Sequence, residues 1–131
     1  MRYLLDASVW IWSLSAAQKI SREGREILEA GAEEVYLSAV TSWELAIKAS
    51  LGKLKLPSPP AKCVAEAVST QGLRPLSITQ SHTLKLYDLP HHHRDPFDRL
   101  LIAQALVEEM TVLTSDRRLS KYPIEIVWCG S

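Results

Sequence analysis

Five short runs rich in apolar and β-branched residues recur along this chain, at residues 2–5, 35–38, 73–78, 111–114 and 125–128. All but the last pair are separated by segments long enough for a helix, and the last two by a short turn of helix. Strands spaced this widely cannot be joined by tight hairpin turns, so the alternation points to a mostly parallel sheet with helices on both faces. Nothing reads as a linker, a repeat or a low-complexity stretch, so residues 1–131 are expected to form one α/β domain. Pro75 within the third run removes a ladder donor and marks that strand as irregular or as an edge.

Local signals place the helices. Ser21 is a plausible N-cap for a helix that stops near Gly31. Thr41-Ser42-Trp43-Glu44 matches a capping box ahead of Leu45, Ala46, Ile47 and Leu51, with Gly52 as the stop. Residues 61–71 read as a helix ending at Gly72, and residues 81–88 as a short helix closed off by Pro90. Asp95-Pro96 is an N-cap followed by proline, opening the longest helical pattern, residues 97–109. Leu100, Leu101, Ala103, Ala105 and Leu106 form its buried side. The apolar segment Val9 to Leu14 is a candidate face for self-association.

Charge narrows the function classes. Fifteen Lys and Arg balance fifteen Asp and Glu, which excludes binding of nucleic acid through a broadly basic surface. No stretch nears the ~20 apolar residues needed to cross a bilayer, and Asp6 interrupts the apolar N-terminus, so no secretory signal and a cytoplasmic setting are expected. Cys63 and Cys129 are too few for a disulfide framework or a thiolate zinc site.

The acids divide unevenly. Glu23, Glu26, Glu29, Glu33 and Glu34 cluster with Arg22 and Arg25, as on a solvated helix face. Asp6, Asp95, Asp98 and Asp116 instead sit where elements begin or end. In open parallel sheets, ligands lie beyond the carboxyl ends of the strands. Asp6 and Asp116 follow strands, while Glu44 and Asp98 fall in helices entered from loops at the same edge. Several carboxylates converging there need a counter-charge, and a hard cation with oxygen ligands, Mg²⁺ or Mn²⁺, is the usual relief.

Each acid also has an ordinary reading. Glu44 can close the capping box or pair with Lys48 one turn on. Asp95 reads as a helix cap, Asp98 as an acid favoured by the helix dipole, and Asp116 as a turn residue. Asp6, directly after a buried strand, is hardest to explain without a partner. His91, His92 and His93 read as a solvated loop beside the site, with a zinc role for His91 and His93 as the alternative. Lys48, Arg94, Arg99, Arg117, Arg118 and Lys121 lie near the acids in sequence and are candidates to grip phosphates. Trp10, Trp12, Trp43 and Trp128 read as packing residues rather than base-stacking platforms.

Together, MRYLLDASVWIW, LSAVTSWELAIKASLGKLKLP, LPHHHRDPFDRLLIAQAL and VLTSDRRLSKY closely resemble PIN domains of the VapC toxin type. The match runs in order over essentially the whole chain, and HHRDPFDRLLIAQA is its most specific segment. The resemblance implies a Rossmann-like three-layer α/β/α sandwich and Mg²⁺- or Mn²⁺-dependent endoribonuclease activity. It also implies a small antitoxin partner and commonly a homodimer. Residue by residue, Asp6, Glu44, Asp98 and Asp116 match the family's catalytic acids. Asp6, Asp98 and Asp116 are the expected metal holders, with Glu44 as a ligand or water-orienting base. Ser8 matches the small polar position that orients the first carboxylate, and Asp95 the first acid of DPFD. Ala7 departs from a frequent Thr without removing a ligand. The implied reaction is phosphodiester hydrolysis of RNA leaving 5′-phosphate and 3′-hydroxyl ends.

Three rival readings stand beside this one. A phospho-receiver module would need an acceptor Asp after a central strand, and residues 73–80 offer none. A non-catalytic binding protein would use its acids only as caps. A nuclease of the same type acting on structured DNA differs only in substrate.

Overall fold

The computed structural model describes residues 1–31 and 33–130. Its centre is a five-stranded, all-parallel sheet. The strands are β1 (Arg2–Leu5), β2 (Glu34–Ser38), β3 (Arg74–Leu76), β4 (Thr111–Thr114) and β5 (Ile126–Trp128), in spatial order β3-β2-β1-β4-β5. The helices are α1 (Ala7–Ser15), α2 (Arg22–Glu29), α3 (Ala39–Ser50), α4 (Pro60–Ser69), α5 (Gln80–Lys85) and α6 (Pro96–Glu108). Short 3₁₀ turns cover Ala17–Lys19, Leu86–Asp88 and Arg117–Lys121.

Alternation along β1 explains the layering. Tyr3 and Leu5 face one apolar cluster with Val9 and Trp10 of α1, Leu45 of α3, and Cys63 and Ala67 of α4. Leu4 faces the other, with Leu101, Ile102 and Ala105 of α6, Leu119 and Tyr122. Side chains on a strand point alternately to opposite faces, so a strand covered on both sides must be apolar at successive positions. Leu4 and Leu5 are fully buried, and all four residues of β4 are buried. Pro75 sits in β3, an edge strand, where its missing N–H costs little.

The caps hold where the sequence was most explicit. Ser21 accepts from Gly24 N–H at 3.2 Å, and the Asp95 carboxylate takes the N–H groups of Phe97 and Asp98 at 2.9 and 3.2 Å. The Thr41–Glu44 capping box is not formed. Helix α3 starts directly from β2, because Ser38 is at once the last strand residue and the N-cap, its hydroxyl accepting from Val40 N–H at 3.0 Å. Thr41 is therefore already inside the helix and buried. The capping box that does form joins Thr79 and His82 at the start of α5. In the Val9–Leu14 segment, Val9 and Trp10 are core residues, and Ile11, Trp12 and Leu14 are partly buried against that core.

Candidate active site

The carboxyl ends of β1, β2 and β4 open onto one edge of the sheet, and each delivers an acid there. Asp6 follows β1 directly. Glu44 comes from α3, which leaves the end of β2, and Asp116 follows β4 by two residues. Helix α6 leads into β4 and runs antiparallel to it, so its first turn, carrying Asp98, lies at this same edge.

Asp6 is 5% exposed, and its Oδ2 accepts from Thr114 Oγ1 at 2.6 Å and Ser8 Oγ at 3.3 Å. Ser8 in turn shares a 2.8 Å hydrogen bond with Ser115. Burial raises the Asp6 carboxyl above its ordinary range, the hydroxyl donors oppose that, and the nearby Glu44 charge adds to it. Glu44 is buried and paired with Lys48 Nζ one turn on, which holds that ammonium above its usual value.

Asp98 is also strongly perturbed. Burial first, then the charges of Asp6, Asp95, Glu44 and Asp116, push its carboxyl up to about 7. Those four acids lie near enough to Asp98 for their charges to reach it. Asp116 shows the reverse behaviour. Arg118 grips it as a fork, Nε to Oδ1 at 3.0 Å and the terminal nitrogen to Oδ2 at 2.7 Å, holding its carboxyl below the usual carboxylate range. The same Arg118 nitrogen lies 3.9 Å from Asp98 Oδ2.

Among the described residues, no three His, Cys, Asp or Glu side chains are drawn together as a metal cage. The chain's own cations stand against the acids instead, Arg118 on Asp116 and Lys48 on Glu44. The donor set nevertheless fits a hard divalent cation: it is all carboxylate oxygen, it is partly buried, and burial together with the acids' mutual repulsion raises Asp98 to about 7.

The basic candidates separate. Arg94 and Arg117 are exposed, and the Arg117 guanidinium lies 4.1 Å from the Trp128 ring centroid. Arg99 is corrected: it is 8% exposed and donates to the carbonyls of Pro90 and Leu89 at 2.8 and 3.3 Å, so it is a buried structural group and not a phosphate grip. On α6 the residue after Asp98 turns inward, and its charge is satisfied by loop carbonyls. His93 is corrected too. It is not solvated but 9% exposed, with Nδ1 at 2.7 Å from the Tyr122 hydroxyl and Nε2 at 3.5 Å from Asp98 Oδ2. His91 and His92 are exposed.

Thr114 and Tyr122 escaped the sequence reading. Thr114 was legible in principle, as a hydroxyl ending a buried strand two residues before a site acid. Tyr122 carried no local signal, because its role depends on a loop 29 residues away in sequence.

The family model of the PIN domain matches residues 3–125 of the chain. Ribonuclease VapC16 of Mycobacterium tuberculosis is 39% identical over 61 residues, which cover 47% of this chain and 43% of that protein. Ribonuclease VapC22 of the same organism is 29% identical over 120 residues, 91% of this chain and 90% of that protein. The chain thus spans less than half the length of the first relative and nine-tenths of the second. In fold it is similar to a chain of VapBC2 from Rickettsia felis bound to a DNA fragment from its promoter, with a TM-score of 0.75 at 15% identity, covering 98% of this chain and 99% of that one.

Proposed function

The chain belongs to the PIN-domain family, and on that premise we propose that it is a metal-dependent endoribonuclease, the toxin of a type II toxin–antitoxin pair. One observation carries the reading. Asp6, Glu44, Asp98 and Asp116 are carried to the carboxyl edge of a parallel sheet, where burial and then the neighbouring acids' charges raise Asp98 to about 7. Acids serving only as caps would not need to share that edge. Two curated relatives named as ribonucleases, and structural neighbours that are VapBC complexes, support the same reading.

Asp6, Asp98 and Asp116 would hold Mg²⁺ or Mn²⁺, with Glu44 beside them as a further ligand or as the base that orients water. When bound, such a cation supplies Lewis acidity, lowering the pKa of a water and neutralising charge on the phosphodiester. The chain's own groups do the rest. Thr114 and Ser8 fix the Asp6 carboxylate by donating to Oδ2. Arg118 and Lys48, which now balance Asp116 and Glu44, are placed to turn to substrate phosphates once the acids have another counter-charge. Arg94 and Arg117 add an exposed basic fringe. Ser8 and Asp95 support the site, Asp95 by capping the helix that presents Asp98.

The partner we assign is a small antitoxin. An acid pocket whose cations are Arg118 and Lys48 also accepts a partner's guanidinium, so an antitoxin arginine reaching into it is the proposed mode of inhibition. A homodimer is the proposed assembly. The deciding experiment incubates the purified protein with structured RNAs and a structured DNA control, in Mn²⁺ or Mg²⁺, with chelator and Asp6→Asn arms. The reading expects RNA cleavage that chelator and Asp6→Asn both abolish. Cleavage insensitive to chelator, or absent on every RNA, overturns it.

A further inference from the structure

His93 enters none of the roles assigned above, yet its environment is highly specified. It lies in the loop before α6, 9% exposed, and both ring nitrogens face named groups. Nδ1 is 2.7 Å from the Tyr122 hydroxyl. Nε2 is buried without a hydrogen-bond partner, and the carboxylate facing it, Asp98 Oδ2, stands at 3.5 Å.

The tautomer follows from counting donors. Arg99 has no acceptor atoms and points one guanidinium nitrogen at the Tyr122 oxygen, at 3.4 Å. That oxygen therefore accepts from Arg99, and the hydroxyl proton needs an acceptor of its own. Tyr122 is 3% exposed, so water does not supply one readily. Nδ1 is the acceptor in reach, which leaves the ring proton on Nε2. The opposite tautomer would aim an Nε2 lone pair at a carboxylate oxygen and leave a buried hydroxyl proton unsatisfied.

We propose that His93 is a positioning residue for Asp98, its Nε2–H aimed at that carboxylate by the Arg99–Tyr122–His93 relay so that the carboxylate is held in orientation for the metal it would bind. The proposal rests on the metal-dependent reading above. A buried N–H that stops at 3.5 Å costs free energy while unpaired, and a small movement of Asp98 on binding a cation would satisfy it. Imidazoles and carboxylates behind a metal ligand orient it in this way, and removing them typically weakens metal binding about 10–100-fold. The buried Arg99 then acquires a purpose that its position beside Asp98 in sequence did not reveal: it sets the direction of a hydrogen-bond chain.

The test combines ring-nitrogen NMR of ¹⁵N-histidine-labelled protein at pH 8 in chelator with calorimetric Mn²⁺ titration. His93 is expected to show a protonated Nε2 and a bare Nδ1 in the wild type, and to lose that preference in Tyr122→Phe. Mn²⁺ affinity is expected to fall about tenfold in both Tyr122→Phe and His93→Leu. His93→Gln, which returns an N–H donor near the Nε2 position, is expected to recover most of it. Circular dichroism melts establish that each variant is folded, and Tyr122→Phe, which removes one oxygen, covers the case in which His93→Leu does not fold. A wild-type proton on Nδ1 overturns the relay. Unchanged Mn²⁺ affinity in folded Tyr122→Phe overturns the positioning role. A wild type that binds no Mn²⁺ overturns the functional reading and with it the positioning role, whereas the NMR arm still judges the relay.

Discussion

Helix α6 carries two buried polar clusters, and they are built on opposite terms. Toward its C-terminus, Gln104 accepts from the Ser38 hydroxyl and donates toward Ser77 O and His82 Nδ1, at 3.4 and 3.3 Å. His82 Nδ1 also takes the Thr79 N–H, so the proton sits on Nε2, which meets Glu108 at 2.7 Å. No side-chain atom of these residues is left buried and unpartnered. At the N-terminus, Asp98 is crowded by four other acids and His93 Nε2 has no partner. A chain that can satisfy one network completely has the means to satisfy the other. The unsatisfied state at the sheet edge accords with the proposed cation site, and the completed network behind it ties α6 to the end of β2 and to α5.

The contrast is open to direct attack. The largest expected effect is on activity: Asp98→Asn should reduce RNA cleavage by about a thousandfold or more, on the order of 4 kcal/mol of transition-state stabilisation, while the fold remains intact by circular dichroism. Equal cleavage by wild type and Asp98→Asn would make the crowded cluster merely structural.

Gln104→Leu attacks the other cluster. It strands the Ser38 hydroxyl and removes the tie between α3 and α6, and should cost about 2–3 kcal/mol in denaturant unfolding. Its Mn²⁺ affinity should stay close to that of the wild type, which separates loss of rigidity from loss of the His93 relay.

The third prediction concerns pH. In chelator, native Asp98 holds its proton up to about 7, whereas the unfolded chain releases it near 3.9. The native state therefore binds more protons in that interval, and stability falls as pH rises from about 4 to about 7. Discounted for partial exposure, the loss should be about 2 kcal/mol, and Asp98→Asn should remove most of it. Buried Asp6 shifts in the same direction. Asp116, held low by Arg118, adds stability that is lost only as pH drops through its own lowered value. A flat stability profile between pH 4 and 7 would mean that the acids are not crowded in solution.

The smallest effect separates a cap from a ligand. Asp95→Ala should cost about 1 kcal/mol of stability, and Asp95→Asn only a few tenths, because Asn caps as well as Asp. If Asp95→Asn loses cleavage as completely as Asp98→Asn, Asp95 belongs with the catalytic acids.

The sequence by itself determined the class of fold and the sheet edge to which the candidate site acids are carried. Strand-like runs with helix-length gaps dictate parallel pairing, and Asp6, Asp98 and Asp116 each border an element at the carboxyl side of a strand. Caps such as Ser21 and Asp95 were legible for the same reason: their hydrogen bonds close within three residues. At Thr41 the local pattern pointed to the wrong cap, because α3 starts where β2 ends, at Ser38, and that end is decided by the strand's neighbours in the sheet.

Only the tertiary structure decided the fates of the cations and the histidines. Arg99, Arg117 and Arg118 look alike as charges beside acids. One is buried against loop carbonyls, one lies over a tryptophan, and one clamps Asp116. His93 is one of three consecutive histidines, yet it alone meets Tyr122 by hydrogen bond and faces Asp98. Those roles depend on contacts between segments far apart in sequence, and on which groups lose their water. Periodicity and spacing carry no record of either.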